Sequence, residues 1–73
     1  MYTVCIEVNG ERRHGRNRPS LKQAESTARN WYNGFLEHFA AHPLKGKTKW
    51  AVLVLDNHAV EIMRFEPSKK RKS

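Results

Sequence analysis

Residues 21–41 carry one long apolar stripe. Leu21, Ala24, Ala28, Trp31, Tyr32, Phe35, Leu36 and Phe39 recur at three- and four-residue steps, the spacing of a single helical face. A stripe this wide and aromatic has to be buried against another element. Ser20 followed three residues later by Gln23 has capping-box spacing, with a hydroxyl and an amide each able to satisfy a free backbone N–H, so the helix begins at Leu21. His42-Pro43 closes it. Gly34 lies in the helix interior, where it costs about 1 kcal/mol relative to Ala. It therefore predicts a close approach by the sheet or a kink.

The surface that this helix covers comes from the flanking segments. Tyr2, Val4, Ile6 and Val8 alternate with Thr3, Cys5, Glu7 and Asn9, the period of a strand with one buried face, and Asn9-Gly10 ends it. Thr48 to Leu55 contains Trp50, Val52, Leu53 and Val54 and reads as a second strand after a Lys45-Gly46-Lys47 turn. Asp56-Asn57 suits a two-residue hairpin loop, because both residue types tolerate positive φ, and His58 to Glu66 is the third strand. Gly10 to Pro19 has no apolar residue and reads as an exposed, mobile basic loop. The expectation is an α+β fold in the order β-α-β-β, a three-stranded sheet with one helix packed on one face. It forms one domain over residues 1–67, followed by a basic tail over residues 68–73.

With one helix and one sheet, only one sheet face is covered. A two-residue hairpin loop groups Ala51, Leu53 and Leu55 with Val60 and Ile62, and Trp50, Val52 and Val54 with Met63 and Phe65. The small aliphatic set suits the aromatic helix stripe. The other set then forms an exposed apolar patch around Trp50, Val52, Met63 and Phe65, of the kind that marks an interface.

Charge narrows the class of partner. The 73 residues hold 14 Lys and Arg against 7 Asp and Glu, a net +7, and the pI is about 10.1. The excess is local: residues 11–18 sum to +3 through Arg12, Arg13, Arg16 and Arg18, Lys69, Lys70, Arg71 and Lys72 sum to +4, and the remainder sums to zero. Such a balance points to a polyanionic or acidic partner. Arginine is also the side chain suited to forked recognition of phosphate or carboxylate. No apolar run approaches membrane-spanning length and the N-terminus alternates instead of forming a signal-peptide block. One cysteine, Cys5, permits no internal disulfide. A cytoplasmic, monomeric binding module without a membrane role or a cofactor is expected.

Chemistry-bearing residues are sparse. His38 and His42 stand four apart, a metal-compatible spacing, but no third ligand accompanies them and no metal site is assigned. His14 within the arginine segment suits acid–base work in a toxin-like ribonuclease, yet no partner carboxylate or second histidine is placed by sequence. No catalytic residue is assigned. Trp31, Tyr32, Phe35 and Phe39 are core by their helical spacing, whereas Trp50, beside Lys49 and across the hairpin from Met63 or Arg64, is a candidate interface anchor.

In length, in its outline of strand Tyr2–Val8, helix Leu21–Ala41 and hairpin Thr48–Glu66, and in its basic loop and tail, the chain resembles the small transcription regulators with which lytic Xanthomonas phages bind host RNA polymerase. The resemblance spans the whole chain without a diagnostic motif. It implies binding to the N-terminal part of the β′ subunit, inhibition of σ-dependent initiation, and antitermination. It transfers no residue role. On this reading the patch of Trp50, Val52, Met63 and Phe65 anchors the complex, while Arg64, Arg12, Arg13, Arg16, Arg18 and the tail residues Lys69, Lys70, Arg71 and Lys72 steer it. A second expectation is direct binding of DNA or RNA by the open sheet face.

Overall fold

The computed structural model describes residues 1–42 and 48–67. Four strands and one helix are formed in the order β1 (Tyr2–Val8), β2 (Glu11–Arg18), α1 (Leu21–Ala41), β3 (Trp50–Leu55) and β4 (Glu61–Phe65). The strands make one antiparallel sheet of order β2-β1-β3-β4. The architecture is therefore α+β with a four-stranded sheet, which corrects the expected three-stranded one.

The additional strand, Glu11–Arg18, lies in the segment whose lack of apolar residues predicts a mobile loop. Asn9 (φ 52°) and Gly10 (φ 85°) both occupy the left-handed region, and Val8 pairs with Glu11. They form the two-residue turn that Asn-Gly favours, because a double positive φ matches the strand twist. Asn9 is pinned further: its backbone N–H donates to the Lys49 carbonyl at 2.9 Å and its Oδ1 accepts from the Lys49 N–H at 3.0 Å. The turn that ends β1 also starts β2. An edge strand needs no apolar face when backbone pairing and a fixed turn hold it, so β2 folds with none.

The helix follows its sequence signals. The Ser20 hydroxyl accepts from the Gln23 N–H at 3.2 Å at its start and the His42 N–H donates to the His38 carbonyl at 2.8 Å at its end. Ala24 and Ala28 are fully buried, and their small side chains bring the helix axis close to the sheet. The close approach expected at Gly34 is not met. A β-carbon built there contacts nothing within 4 Å, so no sheet atom comes close enough to require a glycine.

The sheet face beneath the helix is the opposite of the expected one. Val4, Ile6, Trp50, Val52 and Val54 form the helix-side core with Ala24 and Ala28, and Trp31, Tyr32, Phe35, Phe39, Met63 and Phe65 pack around it. Cys5, Ala51, Leu53 and Leu55 form a second buried cluster on the face without a helix. One half of the expected division of β3 and β4 holds, since Val52 pairs with Phe65 and Val54 with Met63; the other does not, because Leu53 pairs with Arg64 and, past a register shift, Leu55 with Glu61, so Val60 and Ile62 stay exposed. What decides which face is covered is β1. Val4 pairs with Val54, Ile6 with Val52 and Val8 with Trp50, so the apolar face of β1 is continuous with the Trp50 set. Its other face, Thr3, Cys5 and Glu7, is unsuited to a helix stripe.

The β3–β4 loop is also longer than expected. The Asp56 N–H donates to the Val60 carbonyl at 2.9 Å, the Ala59 N–H donates to the Asp56 carbonyl at 3.0 Å, and Ala59 has φ 62°. The Asp56 carboxylate accepts from the His58 N–H at 2.8 Å and from the Val60 N–H at 3.0 Å. These bonds hold its pKa below the ordinary carboxylate value.

Candidate polyanion-binding edge

Trp50 is 8% exposed and Val52 fully buried, so neither offers a contact surface. Trp50 lies among Tyr32, Phe35 and Phe39 at ring-centroid distances of 5.7, 5.9 and 5.2 Å, a geometry of mutual edge and tilted packing. Met63 and Phe65 are half-buried against the same core. Phe65 is 6.1 Å from the Tyr32 ring and is overlain by the Arg29 guanidinium at 5.6 Å. The exposed apolar patch expected from these four residues does not exist, because they are the floor on which the helix packs.

Arg64 is also committed to the fold. Its Nη2 and Nε donate to the two oxygens of Glu61 at 2.8 and 3.0 Å, and its Nη1 donates to Glu7 at 3.0 Å and to Glu66 at 3.1 Å. The three carboxylates raise the Arg64 pKa further, with Glu61 contributing most, and Arg64 in turn lowers that of Glu61. Arg64 pairs with Leu53 and Glu7 with Ala51 in the sheet. The ion pair therefore reaches from β4 to β1 across β3 on the face without a helix. The side-chain stems cover Ala51 and Leu53 as apolar material, which explains how that cluster is buried without a second layer.

The arginines of β2 contrast with this. Residues Glu11 to Asn17 are all exposed and Arg18 is half-exposed. Arg13 pairs with Glu11, whereas Arg12, Arg16 and Arg18 have no ion pair among the described residues. Register assigns their sides. Arg13, Arg16 and Arg18 pair with Ile6, Val4 and Tyr2 and so project on the helix side, while Arg12 and Asn17 pair with Glu7 and Thr3 on the other. Thr3 Oγ1 and Asn17 Oδ1 are 2.9 Å apart on that second side. Among the described residues Arg18 Nε is buried with no hydrogen-bond partner.

Between Arg13 and Arg16 the register shifts, so that His14 and Gly15 together oppose Cys5. This is a β-bulge with His14 at φ 61°, a conformation uncommon outside glycine. Bulges re-aim side chains and sharpen the local twist. Here the bulge sets His14 on the wall of an open groove between β2 and the helix, of about 630 Å³, lined also by Asn30, Trp31, Gly34, Phe35 and His38. The groove exists because β2 has no apolar residue to draw the helix down. The helix packs over β1 and β3 instead, leaving Trp31 half-exposed on the β2 side.

Other candidates are resolved by position. His38 and His42 have ring centroids 5.1 Å apart, but no cluster of three or more metal-ligating side chains occurs among the described residues. Cys5 is buried, and desolvation raises its thiol pKa, which disfavours the nucleophilic form. No helix among the described residues is long and apolar enough to cross a membrane. The Lys69, Lys70, Arg71 and Lys72 expectation lies outside the described residues. Sequence reading found the β2 arginines but missed the groove, whose one advance signal was a helical glycine next to Trp31 and Phe35. No protein-family model, curated protein or solved structure matches the chain.

Proposed function

We propose that the protein is a non-enzymatic polynucleotide-binding module of the cytoplasm, with the β1–β2 ribbon as its contact element. The observation that carries this is the placement of four arginines in eight residues of an exposed edge strand, three of them with no ion pair among the described residues. Charge on an edge strand also prevents sheet-to-sheet association. One or two charges achieve that, however, and four like charges side by side repel one another unless a polyanion joins them. Guanidinium groups on both sides of a two-stranded ribbon suit a phosphate backbone that passes along it.

The test is anisotropy titration of labelled oligonucleotides over a range of salt. Engagement of three to four phosphates gives a logarithmic salt slope of about −2 to −4. Lack of binding to single- or double-stranded oligonucleotides at 50 mM salt and tens of micromolar protein rules the reading out.

A second reading, binding to the β′ subunit of bacterial RNA polymerase with loss of σ function and antitermination, is favoured by a different observation. Val60, just before the edge strand β4, and Ile62, within it, are 55% and 42% exposed, and exposed apolar side chains at an open sheet edge suit a protein partner. On this reading Val60 and Ile62 replace Trp50 and Val52 as the anchor, and the β2 arginines steer. Capture of core polymerase from bacterial lysate that survives nuclease, and is lost in Val60→Asp/Ile62→Asp, supports it. Capture abolished by nuclease assigns the interaction to nucleic acid.

A further inference from the structure

We infer that the groove between β2 and the helix receives an unpaired base, so that the preferred polynucleotide is single-stranded. This rests on the polynucleotide reading above and specifies its substrate.

Three observations converge. The first is the chemistry of the groove. Trp31 and Phe35 provide apolar ring surface, and Asn30, His14 and His38 provide hydrogen-bonding groups around it. A flat heteroaromatic ring with polar edges matches this combination, and stacking on aromatic side chains is how single strands are bound without a sequence code. A base held within a duplex presents only its edges and cannot enter.

The second is Gly34. It has ordinary helical backbone, so no positive φ requires a glycine there, and a β-carbon would meet nothing within 4 Å. Alanine would fit and would favour the helix. The missing side chain therefore serves neither the helix nor its packing on the sheet. Gly34 lines the groove together with Trp31 and Phe35, so the position is open to the groove.

The third is charge complementarity. Arg13 and Arg16 flank the His14 bulge and project on the helix side, where the groove lies. Their backbone positions bracket the groove wall, so a strand following β2 has its phosphates on the arginines when one base turns inward. His14, held at positive φ between them, lines the groove.

The experiment compares four probes with the purified protein at 0.1 M salt: 12-nucleotide oligothymidylate, 12-nucleotide oligouridylate, an abasic 12-mer of equal charge, and a 12-base-pair duplex. Either base-bearing single strand is expected to bind about five- to a hundredfold more tightly than the abasic strand, the range that corresponds to stacking of one base, and more tightly than the duplex. Binding should also quench the fluorescence of Trp31, the half-exposed one of the two tryptophans. Gly34→Leu, which fills the groove, should erase the difference between base-bearing and abasic strands, while urea unfolding confirms that the variant is folded.

Equal binding of base-bearing and abasic strands with steep salt dependence overturns the groove assignment and leaves the arginine edge as the site. Duplex preference overturns it in the same way. Absence of binding to all four probes overturns both the groove assignment and the polynucleotide reading. Because the abasic comparison uses the unaltered protein, the test stands even where Gly34→Leu fails to fold.

Discussion

The two edges of the sheet use arginine in opposite ways. On β4 a single arginine, Arg64, is enclosed by Glu7, Glu61 and Glu66 and bridges three strands. On β2 four arginines share one ion-paired carboxylate, Glu11. Arg64 closes a sheet face that has no helix, whereas Arg12, Arg16 and Arg18 hold no ion pair among the described residues. The number of arginines differs, four against one, but number alone would not set the two edges to different tasks. What separates them is whether neutralisation comes from inside the chain or has to come from a partner.

The largest effect expected of a single substitution lies between the edges. Trp50→Ala removes the ring on which Tyr32, Phe35 and Phe39 converge and should cost about 3–5 kcal/mol of stability in urea titration. For a domain of this size that is most of the total, and any loss of binding should follow the unfolded fraction. Near-native stability with weakened binding would restore Trp50 as a contact residue and erase the distinction between scaffold and contact.

The edges themselves are separated by a reciprocal pair of variants. Arg12→Gln/Arg16→Gln should leave the unfolding midpoint within about 0.5 kcal/mol and flatten the salt slope for a single strand by about 1.4, which amounts to roughly 25-fold in affinity at 0.1 M salt. Arg64→Met should do the reverse. It keeps the apolar stem over Leu53 but leaves three carboxylates facing one another, for a loss of about 1 kcal/mol in stability at neutral pH without a drop in affinity. If Arg64→Met weakened binding as much as the β2 pair did, the edges would be functionally alike.

This contrast also shows what was legible in the sequence. β1, the helix and its Ser20 cap could be read because periodicity and capping are local properties. That Trp50, Val52 and Val54 share a face with Met63 and Phe65 was legible from strand alternation, but their register was not: Met63 lies opposite Val54 and Phe65 opposite Val52 instead of Met63 or Arg64 opposite Trp50, because the loop is longer than the expected two residues. β2 was not, because strand reading relies on an apolar face and an edge strand needs none. The Asn9-Gly10 dipeptide was the available sign, and it announces a hairpin more strongly than it announces an end. Which sheet face the helix covers depended on the register between β1 and β3, a contact more than forty residues apart in sequence that no local pattern encodes. That one inversion moved Trp50 and Val52 from the candidate site into the core and turned Arg64 from a partner contact into a tie across the sheet.

The smallest effect concerns the turn that feeds the β4 edge. The Asp56 carboxylate accepts the His58 and Val60 N–H groups and is held below its ordinary pKa by them. A carboxyl depressed in the folded state stabilises above its unfolded pKa, and that contribution disappears as pH falls through the lower folded value. Between neutral pH and about 5 the turn should therefore be insensitive to acid. Below the ordinary carboxylate range the amide protons of His58 and Val60 should exchange faster, while those of β2, whose backbone pairing does not involve Asp56, should not follow. Asp56→Asn retains an acceptor oxygen without the titration and should remove the acid response while keeping the turn. The readout is amide exchange by NMR from pH 6 down to 3. If exchange accelerates equally in β2 and β4 over that range, the acid effect is global, and the turn has no separate role in holding the neutralised edge apart from the basic one.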